Sequence, residues 1–386
     1  MPALQNIELK ISVIKNKGEV MGEGENIYWS KFVKDLSPYE PGEQPGDENV
    51  IKLNTNESPF GPSPTVLRAV KAELNDDIRL YPPPHGDPLK KEISEYYGLS
   101  EKQVFLGNGS DEVLAHAFNC FFRKNKPILF PEITYSFYSV FCKLYGIENK
   151  KISMSESFKI NLEKYDVPNG GIIFPNPNAP TGTLLSLDDI RSLLNFNTES
   201  VVIIDEAYID FGGESAIPLI QDYKNILITH TLSKSRALAG LRIGYALGSK
   251  DLIDGMYRVK NSFNSYPTSR LQIAAAIASF KDENYFQDTV KKIIKGRDDL
   301  TKGLHALGFY VIPSFGNFLL VTHTEHGAAD IWRRLRQVGI LVRHFDQSLI
   351  SNYLRISVGC EVQNKVLLEA LKKIFVTHYS ENTPRI

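Results

Sequence analysis

The stretch Val201-Val202-Ile203-Ile204-Asp205-Glu206-Ala207-Tyr208 runs four β-branched apolar residues directly into two carboxylates. A run this short, apolar at consecutive positions, fits a strand covered on both faces, as in a parallel sheet flanked by helices. Open sheets of that kind bind ligands beyond the carboxyl ends of their strands, which is where Asp205 and Glu206 fall. A carboxylate there is poorly solvated unless it has a cationic partner or several donors. One candidate partner is a metal ion, but the eight histidines are scattered without an H-x-x-x-H pair, which argues against it. The other is a protonated heterocyclic nitrogen. Read in isolation, the acidic pair is equally an exposed loop.

Outward from this strand the same pattern repeats. Gln103–Leu106, Pro127–Phe130, Gly171–Phe174, Asn225–Thr229 and Ile243–Leu247 are short apolar runs, interleaved with helical patterns such as Asp87–Tyr97 and Asp111–Phe122. Asp282–Leu307 reads as one long helix leading into a different region. There, strands at Phe309–Ile312, Asn317–Val321, Ile340–Arg343 and Tyr353–Val358 flank helices near Ala328–Val338 and Val362–Phe375, the pattern of a separate α+β unit. Leu36–Val50 carries Pro38, Pro41, Gly42, Pro45 and Gly46 and reads as an extended arm. Residues 1–28 read as an extension or expression tag without order of its own.

Two further strand ends carry chemistry. After Gln103–Leu106 comes Gly107-Asn108-Gly109-Ser110-Asp111-Glu112 and then a helix. Such a start, with free backbone N–H groups, attracts phosphate, although alone it is also an ordinary capped turn. It lacks the third glycine of a dinucleotide fingerprint. After Asn225–Thr229 comes Thr231-Leu232-Ser233-Lys234, with Arg242 eight residues beyond the lysine. A lysine in a largely apolar loop is open to desolvation, which lowers its amine pKa enough for imine formation. Arg242, beside a glycine, offers a planar fork for a phosphate dianion. A phosphate cradle, an acid for a ring nitrogen, an imine-forming lysine and a phosphate-binding arginine at successive strand ends together describe a pyridoxal phosphate site.

Composition narrows the alternatives. The 386 residues hold 44 basic and 45 acidic side chains, a net charge of −1, so no electrostatic footprint for nucleic acid or an anionic membrane exists. The longest nearly apolar run, near Leu271–Phe280, is about half a membrane span, and the chain is expected to be soluble. Cys120, Cys142 and Cys360 are far apart and form no C-x-x-C, which fits a reducing, cytoplasmic setting rather than a disulfide framework or thiolate zinc. The cluster Arg333, Arg334 and Arg336 reads as a solvated helix face.

With these parts in place the sequence resembles the fold-type I, class-I/II PLP-dependent aminotransferases and, within them, the histidinol-phosphate branch. The segments LSPYEPGEQP, KLNTNESPFGPSP, RLYPPPHGDP, LGNGSDEVL, FPEITYSFY, FPNPNAPTG, IIDEAYIDF, TLSKSRALAGLRIGY, GILVRHFDQ and LRISVG carry the likeness. It implies an α/β fold, a mainly parallel seven-stranded sheet between helices with a smaller α+β domain. The corresponding division is an arm at 29–75, a large PLP-binding domain at 76–290 and a small domain at 291–386. The resemblance implies that Lys234 forms the imine with the cofactor and later moves the proton. Asp205 would hold the pyridine nitrogen protonated and Tyr208 would donate to the phenolic O3′. Ser110, Asp111, Thr231, Ser233 and Arg242 would surround the phosphate, Tyr135 would stack on the ring, and Tyr81 would reach the phosphate of a neighbouring subunit in a homodimer.

One departure from the family pattern stands before Pro-Thr-Gly, where an asparagine is usual: here it is Ala179, preceded by Asn178. A one-residue shift of the loop would give the O3′ role to Asn178. For the substrate, the resemblance implies Arg355 and Arg343 as anion forks and Tyr39 and Asn56 as pocket walls. The implied reaction is amino transfer between histidinol phosphate and 2-oxoglutarate, with glutamate as the second product. An aromatic amino-acid aminotransferase and a threonine-phosphate decarboxylase are the alternatives on the same fold. A transcription regulator built on it would place a DNA-binding segment ahead of Trp29, for which the preceding residues are too few.

Overall fold

The computed structural model describes residues 28–46 and 49–381; the extension read at 1–28 lies, save Tyr28, outside them. The chain separates into two compact units, one ending at Ser37 and one beginning at Pro38. In the first, a short helix, Lys31–Lys34, starts where the Ser30 side chain accepts from the Val33 N–H.

The second unit opens with β1 (Ile51–Lys52). The next seven strands are β2 (Val104–Gly107), β3 (Ile128–Pro131), β4 (Asn149–Ile152), β5 (Gly171–Pro175), β6 (Val202–Asp205), β7 (Ile226–Thr231) and β8 (Gly244–Gly248). They form one sheet in the order β2-β8-β7-β6-β5-β3-β4. Pairings from β7 through β4 are parallel, whereas β8 runs antiparallel to both β2 and β7. The mainly parallel seven-stranded sheet is thus as expected from sequence.

The apolar runs explain its burial. Side chains alternate between the faces of a strand, so Val202 and Ile204 pack with Ile172, Phe174, Ile226 and Ile228 in one cluster. Ile203 packs with Ile173, Leu227, Ala246 and Phe130 in the other. Full burial of each such side chain stabilises by about 1.5–3 kcal/mol relative to exposure. The same alternation then dictates the strand ends. Asp205 and Thr229 continue the Ile203 face, and His230 continues the opposite one.

The C-terminal part carries a four-stranded antiparallel sheet of β9 (Phe309–Val311), β10 (Phe318–His323), β12 (Arg343–His344) and β13 (Leu354–Ser357), in the order β12-β13-β10-β9. The intervening β11 (Ile340–Leu341) pairs in parallel with β1, so the segment after the proline-rich arm is stitched to C-terminal strands. The long helix Glu283–Ala306 connects the two sheets. Arg333 and Arg334 pair with Asp330, and Arg336 with Glu43, on an exposed helix face. Among the described residues, no helix is long and apolar enough to cross a membrane.

Candidate active site

A cavity of about 380 Å³ opens at the carboxyl ends of β5, β6 and β7. Lys234, Asp205, Tyr208, Ser110, Asp111, Tyr135, Thr231, Ser233, Arg242, Tyr39, Asn56, Arg343 and Arg355 all line it. Segments more than 300 residues apart in sequence meet here: the Asn56 N–H donates to Ser357 Oγ at 2.8 Å.

The helix Ser110–Phe121 begins after Gly109, whose φ of 86° lies in the left-handed region that glycine tolerates. A Cβ on Gly109 would fall 2.5 Å from Arg242 Nη2, and one on Gly244 would fall 2.4 Å from Ser110 N. The backbone N–H groups and the guanidinium therefore sit in a cradle that side chains would fill. Arg242 Nη2 lies 3.2 Å from Asp111 Oδ2, while the Tyr135 hydroxyl donates to Asp111 Oδ1 at 2.9 Å. The Arg242 carbonyl accepts from Gln272 Nε2 at 2.8 Å, which fixes the turn presenting the guanidinium. Thr231 Oγ1 donates to Ser233 Oγ at 3.0 Å.

Asp205 lines the same cavity and is only 4% exposed. Its Oδ2 accepts from the Tyr138 hydroxyl at 3.0 Å and its Oδ1 from Thr229 Oγ1 at 3.2 Å. Burial pushes its pKa up to about 6, against the lowering effect of those two donors. Glu206 turns the opposite way, as alternation demands. It accepts from Ser215 Oγ and the Ala216 N–H at 2.6 Å each and lies 3.1 Å from His230 Nε2, away from the cavity.

Lys234 is the sole lysine among the lining residues. Its Nζ donates to the Thr55 carbonyl at 3.1 Å and lies 5.8 Å from the Tyr208 ring centre. The Tyr208 hydroxyl accepts from Asn56 Nδ2 at 3.0 Å, which leaves its own proton free for donation into the cavity. Asn56 is held in the left-handed region, φ 56°, by Ser357 and by Asn317, which donates to its carbonyl at 3.0 Å. Burial pushes the Tyr135 phenol well above its usual range, so it remains protonated.

The anion forks flank this arrangement. Arg343 and Arg355 are register partners across β12 and β13. Arg355 Nη2 donates to the Asn54 carbonyl at 2.8 Å, and its buried Nε has no hydrogen-bond partner. Burial pushes this guanidinium's pKa down, yet it stays charged. Tyr39 stacks on Phe137 with ring centres 4.8 Å apart.

Two expected residues lie elsewhere. The Asn178 reading is corrected: both of its amide hydrogens are engaged, with the Ile133 carbonyl at 3.0 Å and Thr181 Oγ1 at 2.8 Å. Its Oδ1 accepts from Thr134 Oγ1 at 3.1 Å, so no donor remains for a cofactor oxygen. Ala179 forms the wall instead. Tyr81 is 79% exposed, stacked on Tyr266 with ring centres 4.6 Å apart, and does not line its own chain's cavity. Tyr138 and Thr229 escaped the sequence reading. For Tyr138 the only signal was its place three residues after Tyr135, and Thr229 carried none beyond ending an apolar run.

Comparisons with known proteins bear on the same cavity. The family described as aminotransferase class I and II matches residues 48–374. Histidinol-phosphate aminotransferase 1 of Pseudomonas aeruginosa is 56% identical over 344 residues, covering 89% of this chain and 98% of that protein. Histidinol-phosphate aminotransferase 1 of Hydrogenovibrio crunogenus is 57% identical over 350 residues, covering 91% and 98%. The histidinol-phosphate aminotransferase from Clostridium acetobutylicum superposes with a TM-score of 0.78 at 25% identity, covering 84% of this chain and 99% of that one. The Sinorhizobium meliloti histidinol-phosphate aminotransferase, solved in complex with pyridoxal-5′-phosphate, gives a TM-score of 0.82 at 23% identity, covering 90% and 98%. The matched span runs from before β1 into the C-terminal helix and takes in nearly every lining residue of the cavity: by sequence and by fold, the chain belongs to the aminotransferase class I and II family.

Proposed function

We propose that this chain is a histidinol-phosphate aminotransferase, moving an amino group between histidinol phosphate and 2-oxoglutarate with pyridoxal 5′-phosphate as cofactor. The observation that carries the reading is a single cavity holding one lysine, a buried carboxylate and three arginines, two of them paired across β12 and β13. The residues fit the cofactor: Ser110 and Arg242, which form an anion cradle with Gly109, line the same cavity as the buried carboxylate of Asp205. When bound, the cofactor supplies an aldehyde carbon for amines and a ring that takes up the electrons left at a deprotonated Cα.

The protein's part is to bind, orient and move protons. With the cofactor bound, Asp205 would hold a proton at the ring nitrogen, Tyr208 would donate to O3′, and Tyr135 would cover the ring face. Lys234, held beside the Thr55 carbonyl, is the amine that anchors the cofactor and the base that carries the Cα proton. Arg343 and Arg355 bind the substrate anion, phosphate in one half-reaction and carboxylate in the other, through the same planar geometry. Tyr39 and Asn56 shape the wall. The arm at 29–75, the large part at 76–290 and the small part at 291–386 belong to this reading, and the β1–β11 pairing supports grouping the arm's end with the small part. A cytoplasmic setting accompanies a biosynthetic role.

The test is a comparison of amino donors: histidinol phosphate, phenylalanine, tyrosine and threonine phosphate, each with 2-oxoglutarate. Histidinol phosphate is expected to give the highest kcat/KM. A higher value for an aromatic amino acid, or release of carbon dioxide from threonine phosphate, would replace the assignment. Arg343→Ala is expected to raise KM for histidinol phosphate about tenfold or more, the worth of a charge-assisted hydrogen bond, with cofactor affinity nearly unchanged. Equal losses in both would remove Arg343 from the substrate site.

A homodimer with shared sites is part of the same proposal, supported by the exposed Tyr81–Tyr266 pair and the exposed Phe263, Ile78 and Leu80 nearby in sequence. Complementation tests it. Tyr81→Ala and Lys234→Ala, each impaired alone, are expected to regain activity when co-refolded, since a mixed dimer contains one intact site. Failure to regain it, with mixed dimers present, would place Tyr81 outside the partner's site.

A further inference from the structure

Tyr138 has no part in the roles assigned so far, yet it touches the most buried acid of the cavity. Its side chain is fully buried, and its ring lies against Phe118, Phe130 and Tyr135 at centre separations of 5.9, 6.0 and 5.7 Å. Walled in on these sides, the ring has one polar atom, and that atom donates to Asp205 Oδ2 at 3.0 Å. Thr229, opposite Asp205 in the β6–β7 register, donates to Oδ1 at 3.2 Å. Tyr138 and Thr229 give each oxygen one side-chain donor, and a backbone hydrogen bond from Ala207 joins them, which together fix the carboxylate plane.

We propose that Tyr138 is a positioning residue for Asp205: with Thr229 it fixes the carboxylate plane and holds it in the charged form, so that Asp205 keeps a ring nitrogen protonated. This rests on reading the cavity as a pyridoxal phosphate site. Hydrogen bonds to the charged form oppose the desolvation that would neutralise the acid. The direction of the Asp205 pKa agrees, since burial raises it and the Tyr138 and Thr229 bonds lower it. Of the other charged groups, Asp111 disfavours the charge on Asp205. Tyr135, Tyr208, Lys234 and Arg242 line the same cavity.

The experiment follows Asp205 itself. In the full chain stripped of cofactor, the isotope-labelled Asp205 Cγ resonance, identified by its loss in Asp205→Asn, is titrated in wild type and Tyr138→Phe. The midpoint is expected to rise by about one pH unit or more, since a hydrogen bond to a charged group is worth at least that. Thr229→Val is expected to raise it less, and Thr229→Ser to restore it. In the loaded protein, the ring-nitrogen chemical shift of labelled cofactor is expected to move toward its unprotonated value in Tyr138→Phe. Wild-type midpoint and ring-nitrogen shift in a folded Tyr138→Phe would overturn the proposal. Should that variant not fold, Thr229→Val decides in its place, an unchanged midpoint again overturning it. Wild-type protein that takes up no cofactor would instead overturn the reading of the site, and with it the role toward the ring. The titration of Asp205 tells the two failures apart.

Discussion

Lys234→Ala is expected to reduce turnover by at least about 10⁴-fold, because in the proposed reaction one amine would serve both as covalent anchor and as proton carrier. No second amine can take over: Lys234 is the sole lysine lining the cavity, and the arginines there do not lose a proton in proteins. Its position is set by the Thr55 carbonyl, 3.1 Å away, in a segment held by Arg355 through Asn54 and by Asn317 through Asn56. Three consecutive carbonyls thus receive donors from the cavity and its rim. Lys234→Arg keeps a cation there without a nucleophilic amine, and is expected to be as inactive as Lys234→Ala. Borohydride reduction of loaded wild type should fix the cofactor on the peptide containing Lys234, while neither variant is labelled. Near-normal turnover in Lys234→Ala, or a label on another peptide, would remove Lys234 from both roles.

Much of this was legible in the sequence because local pattern and global fold agree. Apolar runs apolar at every position, such as Ile172–Phe174 and Val202–Ile204, are strands buried on both faces. β4 was not legible: three of its residues, Asn149, Lys150 and Lys151, are exposed at the sheet edge, where nothing selects for apolar side chains. Nor was the direction of β8, since an antiparallel strand in the sheet interior carries the same burial as its parallel neighbours. Residues next to rigid strand ends fall on the cavity wall as expected from sequence, as Asp205 and Lys234 do. Asn178 was misplaced because a loop's bonding follows from contacts with Ile133 and Thr134, distant in sequence. Tyr138 was hidden because a tyrosine on a helix has the same appearance whether it packs or donates.

Asp205→Asn is expected to act in opposite directions on activity and on the stability of the cofactor-free protein. An amide cannot hold a proton on a ring nitrogen by charge, so turnover should fall about 10²–10³-fold, as when one preorganised electrostatic partner is removed. Stability follows from the sign of the pKa change. Asp205 moves from an ordinary 3.8 to about 6 in the fold, chiefly through burial, so the native state disfavours the ionised form. Below pH 3.8 the acid is neutral in both folded and unfolded chains and imposes no penalty. As pH rises through about 6 the penalty becomes complete. A gap of about two pH units corresponds to about 3 kcal/mol. The amide leaves one donor of the Tyr138 and Thr229 pair less well matched, which offsets about 1 kcal/mol. Denaturant unfolding at pH 7 should therefore show cofactor-free Asp205→Asn more stable than wild type by about 2 kcal/mol, with the advantage disappearing as pH falls through the interval between the two values. A variant less stable than wild type at pH 7 would mean that the Tyr138 and Thr229 donors already outweigh desolvation. The carboxylate would then be a stabilising part of the fold rather than a charge kept, at a cost in stability, for its ligand.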